Sequence, residues 1–174
     1  IFIDQGMITN DDITLKIEQF DSVFPNRGKA VVAKAWHNNL FKEALIKDAK
    51  KAIADIGIKL ETFADIICMP QTNTVHHIVV CTLCSCYPRT LLGMPPSWYK
   101  SRSYRSRVVH EPREVLAEFG TIVPESKEIK VHDSNADMRY LILPPRPSNT
   151  EDLSEIELSK LVARDYLVGV RLPK

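Results

Sequence analysis

The stretch Val80-Cys81-Thr82-Leu83-Cys84-Ser85-Cys86-Tyr87-Pro88 contains three of the four cysteines of the chain. It directly follows a short run rich in β-branched residues, at positions 76–80, which predicts a buried strand. A connection rich in helix and strand breakers, Gly93-Met94-Pro95-Pro96-Ser97, comes soon after it. The cysteines are therefore predicted to lie where a strand ends in a loop, and we call residues 81–86 the cysteine loop.

The part of the chain before the cysteine loop has the apolar spacing of helices. We predict helices over residues 1–24, with an N-cap in the cluster Asn10-Asp11-Asp12. A turn at residues 25–28 then leads into a long helical segment over residues 29–58, which Gly57 ends. We expect Trp36, within this segment, to pack in the core.

From residue 66 onward the pattern changes to short β-branched runs. These runs predict five strands, at residues 66–69, 76–80, 127–132, 139–143 and 166–170. Between the strands we predict helices at residues 98–106, 112–119 and 152–161. Helices followed by strands and helices in irregular order indicate an α+β fold rather than a doubly wound sheet. We therefore expect an N-terminal helical arm over residues 1–58 and a catalytic, metal-binding α+β domain of mixed layers over residues 59–174.

The overall charge of the chain is nearly balanced. Its 174 residues carry 23 basic and 22 acidic side chains, a formal net charge of +1, which gives no reason to expect nucleic acid or an anionic membrane as a partner. No apolar run approaches the roughly 20 residues that span a bilayer, and nothing at the N-terminus resembles a signal peptide. Clustered cysteines also differ from the spread cysteines of secreted disulfide frameworks, so we predict a cytoplasmic protein.

Three thiols so close in sequence indicate a metal site, because thiolates are soft ligands that suit transition metals. A tight loop could turn all three inward, and Ser85 is small enough to let the loop fold closely. A zinc site needs a fourth ligand, for which His76 and His77 lack the usual spacing. A redox pair of Cys81 and Cys84 leaves the third cysteine without a role. A transition-metal site is favoured, and the zinc and redox alternatives stay open.

The sequence Val-Cys-Thr-Leu-Cys-Ser-Cys at 80–86 resembles the metal-binding motif of the nitrile hydratase α subunit, which the γ subunit of thiocyanate hydrolase shares. Other blocks resemble the same family in the same order, at residues 32–36, 93–101, 104–109, 111–113 and 139–144. The likeness extends over residues 28–172. It implies an α+β subunit whose active site is built around the cysteine loop.

The resemblance implies five ligands for one low-spin trivalent metal. Cys81 would be the axial thiolate, and Cys84 and Cys86 would be equatorial sulfur ligands, usually oxidised to sulfinic and sulfenic acid respectively. The deprotonated backbone nitrogens of Ser85 and Cys86 would complete the set and leave a sixth position open, as in catalytic metal sites generally. Thr82 and Tyr87 follow the pattern associated with cobalt, so we expect one cobalt(III) per chain, with iron(III) as the alternative.

The implied reaction is the hydration of a nitrile to an amide, which belongs to the hydro-lyases. The metal would act as a Lewis acid on the nitrile or on water, and the sulfenate oxygen of Cys86 is an alternative nucleophile. Ser85 would position water or substrate. An ungapped comparison from the cysteine loop backward puts Thr62 where some hydratases carry a pocket glutamine. Glu61, the residue before Thr62, is therefore the third catalytic candidate, and the alternative is a solvent-exposed loop carboxylate.

The resemblance also implies partners. A β-type subunit, in an αβ or α2β2 assembly, would supply part of the pocket and the arginines that hold the oxidised cysteines, because anionic sulfur oxygens need charged donors. The basic stretch formed by Arg102, Arg105, Arg107 and Arg113 would pack against that subunit. A metallochaperone or activator and a small nitrile substrate complete the expected partners.

Arg89 and Thr90 depart from the hydratase pattern, since many hydratases have Trp-Pro at these positions. The sequence Tyr87-Pro88-Arg89 resembles thiocyanate hydrolase, whose anionic substrate an arginine could attract. The alternative function is therefore that of a thiocyanate hydrolase γ-type subunit, which converts thiocyanate to carbonyl sulfide and ammonia. A redox-sensing or metal-storage module without turnover is the alternative of a different class.

Overall fold

A computed structural model describes residue 3 and residues 5–173 of the chain. Within these residues the helices are α1 (Asn10–Glu18), α2 (Phe24–His37), α3 (Asn39–Lys47), α4 (Ala49–Asp55), α5 (Arg89–Leu92), α6 (Ser97–Lys100), α7 (Arg102–His110), α8 (Pro112–Glu118), α9 (Glu155–Leu161) and α10 (Arg164–Val168). The strands are β1 (Asp65–Pro70), β2 (Val75–Val80), β3 (Glu128–Asp133) and β4 (Met138–Leu143). Helices and small parallel sheets together confirm the α+β class. None of the helices described is long and apolar enough to cross a bilayer.

The N-terminal helices start at side chains that cap them. Thr9, rather than the predicted Asn10-Asp11-Asp12 cluster, is the N-cap of α1: its hydroxyl accepts from the Asp12 amide, and the Asp12 carboxylate accepts from the Thr9 amide at 2.8 Å. This reciprocal arrangement is a capping box, which satisfies amides that have no partner inside the helix. A π-helical turn, Gln19–Val23, joins α1 to α2.

The segment predicted as helical over residues 29–58 is helical up to Asp55, with Gly57 just beyond its end, but the chain divides it among three helices. The side chain of Asn38 accepts from the Phe41 amide at 2.9 Å and caps α3, and that of Asp48 accepts from the Lys51 amide at 3.0 Å and caps α4. Asn and Asp side chains compete with the helix for its own backbone groups, so each one ends a helix and begins the next.

The turn predicted at residues 25–28 is also wrong, since these residues form the first turn of α2. Pro25 has no N–H to donate, and it directly follows the π-helical turn Gln19–Val23, where the regular α-helical hydrogen-bond pattern is already interrupted. The predicted helix at residues 98–106 is divided into α6 and α7 at Ser101, whose hydroxyl accepts from the Tyr104 amide at 3.1 Å. Prolines and capping serines thus mark boundaries that apolar spacing alone does not show.

The strands form two parallel pairs. β1 pairs with β4 from Asp65–Met138 to Pro70–Leu143, and β2 pairs with β3 from Val75–Glu128 to Val80–Asp133. The first four predicted strands are confirmed within a residue or so at each end. The carboxyl ends of β2 and β3 coincide, because parallel strands in register finish at the same edge.

The fifth predicted strand, residues 166–170, is wrong. Its apolar residues belong to α10 and the turn after it, where Leu167 and Val168 are buried. A short apolar run does not distinguish a buried strand from a buried helical turn. Gly169 ends the helix with φ +86°, and a Cβ there would lie 2.1 Å from the carbonyl oxygen of His77. Only glycine allows this contact with β2.

The core lies between the helices and the two strand pairs and includes Trp36, whose indole N–H donates to the Pro144 carbonyl at 2.8 Å. Elsewhere in this core, Trp98 meets three other aromatic rings edge to face: Tyr99, Tyr104 and Phe119. Such pairs stabilise beyond the area they bury. This aromatic cluster supports the strand that leads into the cysteine loop.

Candidate metal centre and its cavity

The cysteine loop leaves the end of β2 and brings its three sulfur atoms together. The Sγ of Cys84 lies 3.2 Å from the Sγ of Cys81 and 3.2 Å from that of Cys86, and all three lie within 4.8 Å of one another. Cys81 is buried, Cys86 half-buried and Cys84 exposed. Soft donors at this spacing, with one side toward solvent, fit a single transition-metal ion.

The thiols of Cys84 and Cys86 differ in their proton affinities. Hydrogen bonds from Cys86 and Cys81 lower the pKa of the Cys84 thiol to about 7. Burial and the hydrogen bond to Cys84 raise the pKa of the Cys86 thiol to about 12, although the charge of Arg139 acts in the opposite direction. The hydrogen bonds therefore already favour a thiolate at Cys84, the form that binds metal.

Side chains from other elements hold the backbone of the loop. Asp133, the last residue of β3, accepts from the Thr82 amide at 2.9 Å through Oδ1 and from the Thr82 hydroxyl at 2.5 Å through Oδ2. The Arg105 guanidinium donates to the Thr82 carbonyl at 3.1 Å. The backbone and side chain of Thr82 are thus fixed by opposite charges, from β3 and from α7.

Two tyrosines of the aromatic cluster also anchor the loop and the strand before it. Tyr99 donates its hydroxyl to the Cys86 carbonyl at 2.9 Å, and Tyr104 donates to the Val79 carbonyl at 2.6 Å. Burial raises the pKa of both tyrosines well above the ordinary value, so both hydroxyls remain donors. The loop is therefore held at both ends by groups that keep their protons.

A cavity of about 400 Å³ opens on the cysteine loop. Its walls are formed by residues from four parts of the chain: Phe20, Glu61, Thr62, Cys84, Ser85, Cys86, Tyr87, Pro88, Arg89, Thr90 and Arg139. The candidates Ser85, Cys86 and Glu61 thus face one space, while Cys81 lies buried behind it. The Glu61 carboxylate is 2.9 Å from the ammonium of Lys16, whose hydrogen bond lowers the pKa of Glu61.

Sequence reasoning missed three residues of this site: Asp133, Arg139 and Phe20. Asp133 could have been found only from the pairing of β2 with β3, which brings the ends of two strands together. Arg139 lies in a recognised block, but its position in β4 gave no indication that it reaches the cavity. Phe20 belongs to a segment treated as a helical arm, and no sequence signal connects it to the cysteine loop.

The histidines do not join the cysteines. Among the described residues, the three cysteines are the one group of possible metal ligands whose atoms converge. His76 lies 2.7 Å from the Gly169 carbonyl oxygen, and His77 lies 2.7 Å from His132. A zinc site with histidine as fourth ligand therefore has no support. His110, which lies beyond the helix predicted at residues 98–106, is the last residue of α7.

The arginines of the basic stretch make different contacts within the chain. Arg107 forms ion pairs with Glu111 and Glu118, and Arg113 donates to backbone carbonyls, including that of Val123 at 2.6 Å. Arg105 is the member that reaches the cysteine loop. The described contacts therefore divide these arginines between stabilising α7 and α8 and supporting the site.

Comparison with known proteins identifies relatives of the whole chain. The family described as nitrile hydratase, alpha chain, matches residues 1–171. The cobalt-containing nitrile hydratase subunit alpha of Pseudonocardia thermophila is 47% identical, over 100% of this chain and 86% of that protein. The thiocyanate hydrolase subunit gamma of Thiobacillus thioparus is 37% identical, over 99% of this chain and 75% of that protein.

The fold agrees with the sequence comparison. A double mutant of the Fe-type nitrile hydratase from Comamonas testosteroni Ni1 matches the structure with a TM-score of 0.91 at 36% identity, covering 99% of this chain and 84% of that one. Family match, sequence identity and fold thus extend over almost the whole chain and include the cysteine loop. The chain belongs to the nitrile hydratase α-chain family.

Proposed function

We propose that the chain is the α subunit of a nitrile hydratase and hydrates small nitriles to amides at a metal held by the cysteine loop. The observation that carries the proposal is the convergence of three sulfur atoms within 4.8 Å at the wall of a cavity of about 400 Å³. Family membership supports the reaction, and the cavity supplies room for a small substrate beside the sulfur atoms.

The Sγ atoms of Cys81, Cys84 and Cys86 and the backbone nitrogens of Ser85 and Cys86 would hold one trivalent ion. Cobalt is our choice, because the relative from Pseudonocardia thermophila is described as cobalt-containing, and iron is the alternative, because the solved relative from Comamonas testosteroni is Fe-type. When bound, the ion supplies Lewis acidity toward the nitrile or water. We expect Cys84 and Cys86 to be oxidised to sulfinic and sulfenic acid.

Side chains on the cavity wall would orient the reactants. The Ser85 hydroxyl can donate to and accept from a water molecule or a nitrile nitrogen. Cys86, as its sulfenate, can act as nucleophile, and the positive charge of Arg139 stabilises negative charge on it. Glu61 is kept ionised by Lys16, so it can accept a hydrogen bond from water but is a poor proton donor.

We propose that a β-type subunit covers the cysteine loop, in an αβ or α2β2 assembly in the cytoplasm. Leu83, between two cysteines, is 89% exposed, and Phe63, next to the cavity wall, is 106% exposed. Large apolar side chains at these positions favour a partner that buries them. That partner would also supply arginines to the oxidised sulfurs, and an activator protein would load the metal.

The test is co-expression with a β-type subunit, followed by quantification of bound cobalt, iron and zinc and by an assay of amide formed from acetonitrile. We expect one cobalt or iron ion per chain and amide as product. The Cys84→Ala and Cys86→Ala variants should lose both the metal and turnover. Cys68→Ala is the matched control, because Cys68 is a buried thiol in β1 whose pKa burial raises to about 12.

A variant that keeps full activity without Cys84 or Cys86 would contradict the proposal. One equivalent of zinc without amide would contradict it as well and would favour a structural site. Reversible cysteine oxidation, with loosely held metal and no product, would favour a redox-sensing or metal-storage module.

Thiocyanate is a second candidate substrate, and the position of Arg89 favours it. Arg89 lines the cavity together with Arg139, so two positive charges face the space while Lys16 neutralises Glu61. An anion is attracted to such a wall. Assaying carbonyl sulfide from thiocyanate beside amide from acetonitrile, on the same preparation, decides between the two substrates.

A further inference from the structure

The cavity at the cysteine loop has one wall that comes from the N-terminal part of the chain. Phe20 lines the same cavity as Cys84, Ser85 and Cys86. Most other side chains of the wall carry polar or charged groups, such as Thr62 and Arg89. Phe20 therefore contributes an apolar side chain to a wall that also contains Cys84 and Cys86.

The local backbone at Phe20 is unusual. Phe20 lies in the π-helical turn Gln19–Val23, where the Phe24 amide donates to the Gln19 carbonyl five residues earlier. A π-helical turn accommodates an additional residue in a helix and so changes the direction of the side chains around it, and such turns occur often at functional sites. The side chain of Phe20 thus points in a different direction from the one it would have in a continuous α-helix.

Packing fixes the ring of Phe20 in place. It meets the ring of Phe24 edge to face, with 5.0 Å between centroids, and Phe24 is almost completely buried. The Phe20 carbonyl oxygen would lie 2.4 Å from a Cβ at Gly93, so α5 approaches this turn as closely as the backbone permits. The Phe20 ring is therefore held by the ring of Phe24, and the backbone of its turn lies against Gly93 at the end of α5.

Arg27 connects this turn to the rest of the cavity wall. Its guanidinium lies 4.5 Å from the centroid of the Phe24 ring and donates to the Lys59 carbonyl at 3.2 Å and to the Thr90 carbonyl at 3.3 Å. Lys59 precedes Glu61 by two residues, and Thr90 itself lines the cavity. Three of the four segments that border the cavity are thus joined through one side chain.

We propose that Phe20 is a specificity-determining residue that limits the size of the nitrile substituent. The inference rests on the proposed nitrile hydration and adds that this chain, through its N-terminal segment, sets the size limit. Small aliphatic nitriles fit beside the ring, and aromatic nitriles compete with it for the same space. Shortening the side chain admits larger substituents, and enlarging it excludes them.

The experiment compares kcat/KM for benzonitrile and acetonitrile in the αβ complex. Phe20→Ala should raise the benzonitrile-to-acetonitrile ratio about tenfold, and Phe20→Trp should lower it by a similar factor, since differences of this size in a pocket change kcat/KM by about 10-fold or more. Phe20→Leu, which preserves more packing, should change the ratio in the same direction as Phe20→Ala. The control is Leu40→Ala, which removes an exposed apolar side chain of α3 that does not line the cavity.

The outcomes separate the two proposals. If the wild-type complex forms no amide from either nitrile, the proposed function fails and the role of Phe20 fails with it. If the wild type forms amide but the ratio stays unchanged, or changes in the same direction in Phe20→Ala and Phe20→Trp, the size limit is set elsewhere. Cobalt content and the thermal midpoint, measured for each variant, distinguish a selective effect from general loss of structure.

Discussion

The contact between Asp133 and Thr82 predicts how tightly the cysteine loop retains its metal. The Asp133 carboxylate accepts from both the amide and the hydroxyl of Thr82, so it fixes the residue that follows the first cysteine. In Asp133→Asn the side chain keeps one acceptor and places an amide group toward the other donor. One hydrogen bond and the negative charge are then lost without a change in size.

The magnitude follows from the charge and exposure of the contact. A hydrogen bond to a charged group contributes about 1.5–3 kcal/mol, and the lower end applies because Asp133 is exposed. If this energy holds the loop ready for metal, its loss weakens metal binding about tenfold, since each 1.4 kcal/mol changes an equilibrium constant by a factor of ten. The loss should appear mainly as faster release of the metal.

The assay is the rate of cobalt transfer from the αβ complex to a chelator, measured for the wild type and for Asp133→Asn. The control is Asp137→Asn, which makes the same chemical change at an exposed position between β3 and β4. A double-mutant cycle with Thr82→Val then measures the coupling of the two side chains. Equal release rates in Asp133→Asn and the wild type would show that the contact of Asp133 with Thr82 does not help the loop to retain its metal.

Two further predictions concern stability. Tyr104→Phe removes a buried donor to the Val79 carbonyl and should destabilise the fold by about 1–2 kcal/mol, lowering the thermal midpoint by about 2–8 °C, whereas Tyr166→Phe should have little effect; equal midpoints for the two variants would contradict this. Burial lowers the pKa of His77, and that of His132 to about 4, so the folded chain takes up fewer protons than the unfolded chain below pH 6.5. The contribution of the two neutral histidines to the free energy of unfolding should be fully present above about pH 6.5. It should fall by about 1–2 kcal/mol toward pH 4, a value reduced because both side chains are partly exposed. Urea unfolding between pH 4 and 8 measures this decline in the free energy of unfolding. The decline with falling pH should be smaller in His132→Gln, and an unchanged decline in that variant would show that the histidine pair is not its source.

The sequence predicts those secondary-structure elements whose positions follow from the spacing of their apolar residues. The first four strands follow from β-branched runs, because such residues pack well on a pleated, half-buried surface. The helix ends at Asn38 and Asp48 could not be predicted from the sequence, because a polar residue in a helical pattern can equally belong to the exposed face of the helix. The run at residues 166–170 was misassigned because its burial resembles that of a strand, while its hydrogen bonds are those of a helical turn.

Some features of the candidate site could likewise be predicted from the sequence, and others could not. The convergence of the three thiols followed from their spacing, which only a tight loop satisfies. The clamp of Asp133 on Thr82 depends on the parallel pairing of β2 and β3, a contact distant in sequence. The place of Phe20 in the cavity wall depends on a π-helical turn, and no residue pattern in the chain indicates that turn.

The most direct test of a metal centre in the cysteine loop is X-ray absorption at the metal edge of the purified αβ complex. It reports the element bound and the atoms around it. We predict cobalt or iron with three sulfur ligands and lighter ligands completing the sphere, as the Sγ atoms of Cys81, Cys84 and Cys86 would provide. A metal surrounded only by nitrogen and oxygen, or zinc as the bound element, would contradict the account.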